Sequence, residues 1–438
     1  MERVILFWFR RDLRLDDNAG LYQALKAGKR VLPVFIFDKD ILDSLERPFD
    51  LRVQFIYKTL VELKAELQKR GSDLLVRYGR AIDIWRDLIL EFEVESIYTN
   101  HDYEPSAIRR DRAIEKLCQS SGVNFYTYKD QVIFERDEIV TEARRPYTVF
   151  TPYKKKWLGS LSDFYLKSYP VDVYRSGLLK VKKVSKLLDL KEMGFALQKY
   201  EFPPSAIRSQ ILKNYSETRD FPALKRGTTH LGLHLRFGTM SIREMAREGV
   251  ALSHEWLSEL VWREFFMQVL FHFPEIENES FRAEFENVAW RDSKEEFDRW
   301  SNGLTGYPLV DAGMRELNAT GFMHNRVRML TASFLTKHLL QHWRKGERYF
   351  AKKLLDYDLA ANNGNWQWCA GTGCDAAPYF RIFNPQIQME RFDKQQVYIK
   401  KWVPEVGTSR YPKPIVDHVI ARERALKAFK EVVKKNKK

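Results

Sequence analysis

The chain has 438 residues, more than a single hydrophobic core usually supports, so two or three domains are expected. Lysine and arginine (73) outnumber aspartate and glutamate (59), and the formal charge of +14 favours a polyanionic partner such as a nucleic acid. Three unpaired cysteines, no secretory signal and no apolar run of ~20 residues argue against a secreted, disulfide-rich or membrane protein. We therefore expect a cytoplasmic protein without a structural metal.

The first 130 residues alternate between short apolar runs and helical patterns. Apolar residues recur at helical spacing from Leu51 to Leu67 and again after Ala81. Five runs have the length and spacing of strands joined by helical crossovers: VILFWF (4–9), VLPVFIF (31–37), DLLVRY (73–78), SIYTN (96–100) and VNFYTY (123–128). The pattern predicts a doubly wound, Rossmann-like α/β domain over 1–130 with a parallel sheet. It contains neither GxGxxG nor a P-loop motif, so no fingerprint identifies a ligand.

The alternation of strand and helix then stops. Residues 131–195 include TEARRPYTVFTPYKKKWLGS and a lysine-rich stretch, and we predict an interdomain connector that crosses the surface. From about 196 onward, segments such as HEWLSELVWREFFMQVLFHFP and HNRVRMLTASFLTKHLLQHW are apolar at helical spacing. Residues 196–438 are therefore predicted to form an all-helical domain.

Two parts of this helical region group unusual side chains: the first combines a carboxylate, an indole and a guanidinium, and the second an amide, cations and a thioether. Glu259, Trp262, Arg263 and Phe266 lie three or four residues apart, although an ordinary amphipathic helix would explain them as well. Asn325, Arg326, Arg328 and Met329 open a helix beside the turn at Gly321, where the simpler explanation is a capped helix start with an ion pair at Arg328. The segment GTTHLG (227–232) offers hydroxyls and backbone N–H groups that suit a phosphate, but alone it is weak evidence.

The segment from Asp356 to Pro385, DYDLAANNGNWQWCAGTGCDAAPYFRIFNP, is the most distinctive of the chain. It is too polar for a plain core and too aromatic for a plain surface. Gly364 is expected to let the backbone approach a ligand, while the neighbouring amides and indoles offer hydrogen bonds and flat faces. The alternative is a loop between helices whose aromatic rings fill a small core.

Six segments resemble the photolyase and cryptochrome flavoproteins. They are WFRRDLRLDDN (8–18), YTVFTPYKKKWL (147–158), ELVWREFF (259–266), GYPLVDAGMREL (306–317), GFMHNRVRM (321–329) and DYDLAANNGNWQW with DAAPYFRIFNP. The resemblance covers essentially the whole chain and is closest to microbial class I cyclobutane pyrimidine dimer (CPD) photolyases. It implies an α/β antenna domain and an all-helical domain that holds FAD in a U shape, with DNA bound over a central cavity.

The resemblance also implies an activity and assigns residues to the flavin. A deoxyribodipyrimidine photolyase flips the dimer out of DNA, and its excited, fully reduced flavin donates an electron that splits the cyclobutane ring and then returns. The FAD-binding residues by this resemblance are Tyr215, Thr228, Thr229, His230, Leu231, Gly232, Arg328, Asp356, Asp358 and Asn362. Arg328 is expected to pair with Asp356, and Asn362 to face flavin N5. The electron relay to the flavin would consist of Trp290, Trp343 and Trp366.

The same resemblance assigns residues to the lesion and to DNA. Glu259, Asn325, Met329 and Asn362 would be catalytic, with Glu259 hydrogen-bonded to a thymine edge. The residues that would contact the dimer or the DNA around it are Arg219, Glu259, Trp262, Arg263, Phe266, Asn325, Arg326, Met329, Trp368, Arg381 and Gln388. The cations would anchor phosphates without reading sequence, so damage is recognised by shape and deformability.

Three positions depart from the family pattern. TTHLG stands where many members have TSRLS, and Asn365 replaces a usual glycine, which we expect to alter only a turn. Asn278 replaces a lysine that contacts a folate antenna, whereas Glu104 matches the folate-contacting acid. A folate, a deazaflavin, a second flavin or no antenna at all therefore stay open.

Competing functions differ at named residues. A (6-4) photolyase has histidines where Asn325 and Met329 stand, and the DASH group differs around MHNRVRM. A DNA-binding module without light chemistry would not need the three relay tryptophans. Blue-light signalling by a cryptochrome is the main alternative, although a signalling protein would usually lose some of Glu259, Trp262 and Met329. We predict a monomer that binds UV-damaged DNA.

Overall fold

The computed structural model describes residues 3–435. The described chain divides into two compact units. The α/β unit contains the chain up to Glu138, together with Gly159–Ile207 and His230–Ala251. The helical unit contains Ile139–Leu158, Arg208–Thr229 and the chain from Leu252 onward.

The α/β unit is built on a five-stranded parallel sheet in the order β3-β2-β1-β4-β5. The strands are β1 (Val4–Phe9), β2 (Arg30–Asp38), β3 (Leu75–Gly79), β4 (Val94–Asn100) and β5 (Asn124–Tyr128). Each lies on one of the five predicted runs, and the prediction of a doubly wound sheet is confirmed. β1 is buried along its whole length, as expected for a central parallel strand covered on both faces.

Helices cover the sheet and form the second unit. Those before residue 253 are α1 (Ala19–Lys26), α2 (Lys39–Leu42), α3 (Leu51–Lys69), α4 (Ala81–Glu91), α5 (Pro105–Ser120), α6 (Phe150–Ser160), α7 (Asp163–Leu166), α8 (Ser209–Lys213), α9 (Tyr215–Thr218), α10 (Gly232–Phe237) and α11 (Ile242–Leu252). The later ones are α12 (His254–His272), α13 (Lys294–Ser301), α14 (Pro308–Thr320), α15 (Asn325–Ser333), α16 (Trp343–Lys353), α17 (Leu359–Ala370), α18 (Pro385–Phe392), α19 (Val397–Trp402) and α20 (His418–Lys435). A π-helical turn, Phe334–His338, extends α15.

Buried ion pairs join distant segments of the α/β unit. Asp130 accepts hydrogen bonds from Arg14 and Arg243, at 2.8 Å each, and Arg243 also contacts Asp17 at 2.8 Å. Burial would raise the pKa of Asp130, but the two guanidinium groups hold it below its usual value. Removing Arg14 or Arg243 would leave the buried carboxylate of Asp130 with only one of its two cationic partners.

The expectation of an irregular surface connection is wrong for α6. Its apolar residues Phe150, Tyr153 and Trp157 are buried, and Trp157 donates a 2.6 Å hydrogen bond to Glu264 on α12. These three residues follow the helical period, a signal that the flanking proline and lysines obscured.

The helical character of the chain after residue 196 is confirmed, since every strand that the structure describes ends by Tyr128. The core of the helical unit forms around Trp300, Trp343 and Trp366. Among residues 3–435, the helices are too short or too polar for any of them to cross a membrane.

Candidate functional site

A cavity in the helical unit lies between α15, α16 and α17. Its lining also includes Phe350, Tyr357 and Cys369, which the sequence analysis did not single out. Seven of the predicted site residues line this cavity: Asn325, Arg328, Met329, Asp356, Asp358, Asn362 and Trp366. The structure thus brings together residues that the chain separates into the start of α15 and the segment around α17.

The two aspartates of the cavity are held differently. Arg328 donates to both oxygens of Asp356, at 3.1 and 2.9 Å, and its Nε donates to the Met323 carbonyl at 2.7 Å. The predicted ion pair is therefore present. Asp358 is the N-cap of α17 and accepts from the Ala361 N–H at 3.1 Å. Both carboxylates are thus fixed before any ligand binds.

The amide of Asn362 is oriented by α16. Its Nδ2 donates to the backbone oxygen of Glu347 at 3.1 Å and to the Glu347 carboxyl at 2.8 Å. Burial raises the pKa of Glu347, and the hydrogen bond from Asn362 opposes that shift. Because both amide hydrogens are used, the carbonyl oxygen of Asn362 is the atom left for a ligand in the cavity.

The first half of the distinctive segment forms a regular helix, α17 (Leu359–Ala370), and the rest up to Asn384 is irregular. Asn365 lies inside α17, where its side chain donates to the Ala361 carbonyl at 2.7 Å, so the expectation that it alters only a turn is wrong. Gly364 lets the backbone approach α12, not a ligand: a Cβ there would lie 2.1 Å from the Phe266 ring. Asn and Gly are weak helix formers, and the Asp358 cap with this packing overrides their preference.

Gly364→Ala should therefore destabilise the protein. A contact as close as 2.1 Å would force Phe266 or α17 to move, at a cost of about 3 kcal/mol in the free energy of unfolding. This exceeds the gain of about 1 kcal/mol in helix propensity, so a net loss of about 2 kcal/mol is expected. Thermal unfolding followed by tryptophan fluorescence would measure the change. The matched control is Gly159→Ala in α6, where a Cβ would meet no atom within 4 Å. An unfolding temperature as high as that of the wild type would contradict the predicted clash.

One face of α12 is open. Between Trp256 and Leu270 every position is buried except Glu259, Trp262 and Arg263, which are half-buried. The predicted carboxylate, indole and guanidinium thus share one exposed face.

Trp262 is held by aromatic stacking. Its ring lies 3.5 Å from that of Phe150 on α6, with 8° between the planes, and 5.4 Å from that of Phe266. Trp368 is half-buried on α17 and lines a smaller cavity with Phe266. Phe150 on α6 therefore supports the predicted lesion site, a role that the sequence analysis missed.

Arg219 and Arg326 are tied into acidic partners. Arg219 Nη1 lies 2.8 Å from Glu255 Oε1 and 2.5 Å from Glu259 Oε1. Arg326 donates to Asp220 at 2.7 Å. Arg219 and Arg326, two of the cations predicted to contact DNA, are thus neutralised by acidic residues of the protein.

The predicted phosphate-binding residues are spread over both units. Thr228 and Thr229 belong to the helical unit, whereas His230, Leu231 and Gly232 belong to the α/β unit. Thr229 accepts a weak hydrogen bond from Trp256, and His230 has a φ of 55°. Tyr215 is buried at the start of α9 in the helical unit, and burial raises the pKa of its phenol.

The three relay tryptophans differ in exposure. Trp290 is half-buried and its Nε1 has no hydrogen-bond partner. Trp343 is fully buried and donates to Ser280 Oγ at 3.2 Å, and Trp366 is 2% exposed on the cavity wall. All three belong to or pack against the same core.

The remaining predicted residues do not line this cavity. Arg381 is exposed in the turn after α17, and Gln388 is half-buried on α18. Glu104, in the α/β unit, accepts from Arg11 at 2.9 Å and from Arg236 at 2.6 Å. Its carboxylate is already paired with two cations.

Comparison with known proteins identifies the two parts of the chain. Residues 5–171 match the family described as DNA photolyase, and residues 256–409 match the FAD binding domain of DNA photolyase. A deoxyribodipyrimidine photo-lyase of Agrobacterium fabrum is 37% identical over 98% of both chains. FAD is therefore the cofactor of the helical unit.

Solved structures agree in fold over nearly the whole chain. A class III photolyase of Agrobacterium tumefaciens has a TM-score of 0.87 at 35% identity, covering 99% of this chain and 98% of that one. A Sulfolobus tokodaii photolyase with two FAD molecules has a TM-score of 0.80 at 34% identity, covering 98% of this chain and 100% of that one. A Synechocystis cryptochrome has a TM-score of 0.84 at 26% identity, covering 97% of this chain and 99% of that one. The predicted resemblance is confirmed, and this chain belongs to the DNA photolyase family.

Proposed function

We propose that this protein is a light-dependent lyase that repairs cyclobutane pyrimidine dimers in DNA. The observation that carries the proposal is the shared cavity. Asn325 and Met329, which the resemblance assigns to the lesion, line the same cavity as Asp356 and Asn362, which it assigns to the flavin. Direct electron transfer requires that the two partners meet, and a common cavity provides the place.

The cavity residues fit an isoalloxazine. Asp356 and Asp358 offer fixed acceptors to the hydroxyl and N–H groups of the cofactor, and Trp366 adds an apolar wall. The carbonyl oxygen left on Asn362 suits a flavin that carries hydrogen on N5, which is the reduced form. When bound and fully reduced, FAD absorbs blue light and supplies the electron for the reaction.

The residues on the open face of α12 would bind the lesion. Phe150, Phe265 and Phe266 hold the ring of Trp262 in place, and the part of the indole that they leave exposed would pack against a flipped base. Glu259 would hydrogen-bond a thymine edge. Arg219, Arg263 and Arg326 would hold the flanking phosphates, a task that requires charge but no base contact.

Blue-light irradiation of a CPD-containing oligonucleotide with the chemically reduced protein should remove the dimers, whereas the dark sample should keep them. The loss of dimers is measured by restored cleavage at a restriction site that spans the lesion. An oligonucleotide with a (6-4) photoproduct is the control and should stay unrepaired, because Asn325 and Met329 stand where (6-4) photolyases have histidines.

Light-induced spectral changes of the bound flavin without any loss of dimers would contradict the proposal and would favour signalling. The absorption spectrum of the purified protein would also identify the antenna. A second flavin deserves a specific test, since the similar Sulfolobus protein holds two FAD molecules. The monomeric state and the cytoplasmic location stay predictions.

A further inference from the structure

Glu259 lies in a cluster of alternating charges. Arg219 Nη1 bridges Glu259 and Glu255, and Asp220 lies between Arg219, at 3.9 Å, and Arg326, at 2.7 Å. The Arg219 guanidinium also lies over the ring of Tyr215, 5.4 Å from its centroid. Arg219 is thus the cation that compensates Glu259.

In this arrangement Arg219 is not available to bind a DNA phosphate. An arginine that neutralises two carboxylates cannot also neutralise a phosphate without losing part of the first interaction. Among these groups the Glu255 side chain is 50% exposed and that of Glu259 32% exposed, so water can screen Glu255 better once Arg219 leaves. Glu259 would then lie beside DNA and without its cation.

The thymine edge favours the neutral form of Glu259. This edge alternates carbonyl oxygens with an N–H group, and a carboxylic acid can donate to the oxygen and accept from the N–H. A carboxylate can only accept, and it would face the carbonyl oxygen with like partial charge.

We propose that Arg219 transfers from Glu259 to a DNA phosphate when damaged DNA binds, and that Glu259 takes up a proton in the complex. Arg219 is then a positioning residue, which holds Glu259 ionised in the free protein and releases it on binding. The inference rests on the proposed function and adds a proton to the binding equilibrium.

The direction of the pH dependence follows from linkage. Burial already raises the pKa of Glu259 in the free protein, while Arg219 opposes the shift. Loss of Arg219 and the approach of DNA both raise it further, so the complex binds more protons than the free protein. The contribution of this proton to the affinity is therefore fully present below the pKa that Glu259 has in the free protein. It is lost as the pH rises through the pKa that Glu259 has in the complex. Between the two values it falls by up to tenfold per pH unit.

Calorimetric titration with a CPD-containing duplex in buffers of different ionisation enthalpy counts the protons taken up. At a pH between the two pKa values of Glu259, binding of the damaged duplex should be accompanied by the uptake of close to one more proton than binding of the undamaged duplex of the same sequence. Glu259→Gln should remove that difference. Glu255→Gln is the matched control on the same helix and should retain it.

Arg219→Gln separates the two roles of the arginine. Without its cation, Glu259 should already be protonated in the free protein, so the additional proton uptake should shrink although damaged DNA still binds. Equal proton uptake by the wild type and Glu259→Gln would overturn the inference. The proposed function would survive that result if the wild type still binds and repairs dimers in light, whereas failure of selective binding would remove both.

Discussion

Trp262→Ala should weaken binding of CPD-containing DNA by about 5- to 150-fold, because stacking of a base on an aromatic ring contributes about 1–3 kcal/mol. The ring of Trp262 is stacked on Phe150 at 3.5 Å and is half-buried on the open face of α12. This support fixes the plane of the indole before DNA arrives, so little conformational entropy is lost on binding. Fluorescence anisotropy with a labelled duplex measures the affinity.

The controls separate lesion binding from folding. Trp262→Phe keeps an aromatic face and should retain most of the affinity. Trp402→Ala removes a half-buried tryptophan from α19 and should leave binding unchanged. The flavin content of Trp262→Ala should match the wild type, because Trp262 is not among the residues that line the flavin cavity. Unchanged affinity for damaged DNA in Trp262→Ala would contradict the assignment of α12 to the lesion.

The open face of α12 shows what periodicity can predict. Residues three and four apart share a face, so the sequence places Glu259, Trp262 and Arg263 together without any structure. It does not show which side of the helix is open. Trp157 on α6 contributes to this by binding Glu264 on another side of α12, whereas Phe150 supports Trp262 on the open face itself. Both residues come from a part of the chain whose sequence pattern is irregular.

The cavity between α15, α16 and α17 shows what family motifs can predict and what they miss. The resemblance correctly brings Arg328 and Asp356 together, because family motifs carry contacts over any distance along the chain. Glu347 was missed, although it contacts Asn362 at 2.8 Å. It lies 15 residues earlier on another helix, in a charged segment where a glutamate is unremarkable. Only the packing of α16 on α17 gives it a buried amide as partner.

The sequence predicts least well which acidic residue pairs with which basic residue. The sequence offers many acids and bases, and the choice of Glu259 as partner of Arg219, 40 residues away, depends on how α9 and α12 pack. The sequence analysis assigned both residues to DNA separately. Their contact in the free protein changes the expectation, since each would have to leave the other before it could bind the DNA group predicted for it.

Trp290→Phe should reduce photoreduction of the oxidised flavin at least tenfold and leave repair by the chemically reduced protein largely intact. Of the three tryptophans predicted to form the relay, Trp290 is the most exposed and Trp366 lines the cavity, so electrons from an external thiol would enter the relay at Trp290. Phenylalanine keeps the packing against Phe429, 5.7 Å away, but is far harder to oxidise than an indole.

One titratable group and one permanent cation lie beside the predicted relay, since the Arg344 guanidinium is 5.4 Å from the centroid of the Trp343 ring. His342 contacts Trp290 at 5.3 Å and Trp343 at 6.0 Å. Burial and nearby arginines lower the pKa of His342 to about 4, so it is neutral at pH 7 and would add no positive charge of its own beside the predicted relay. The formation of reduced flavin under blue light with dithiothreitol is followed by absorbance, and dimer repair is measured in parallel after reduction with dithionite.

Trp300→Phe is the matched control for this experiment. Trp300 contacts Trp366 at 6.1 Å but is fully buried and has no role in the predicted relay. It should leave photoreduction near the wild-type rate, which would show that proximity to Trp366 alone does not make a tryptophan part of the relay. If Trp290→Phe were instead to lose repair after chemical reduction, Trp290 would serve the splitting reaction itself. A relay that only recharges the flavin has no part in that reaction, because the electron returns to its donor after each repair.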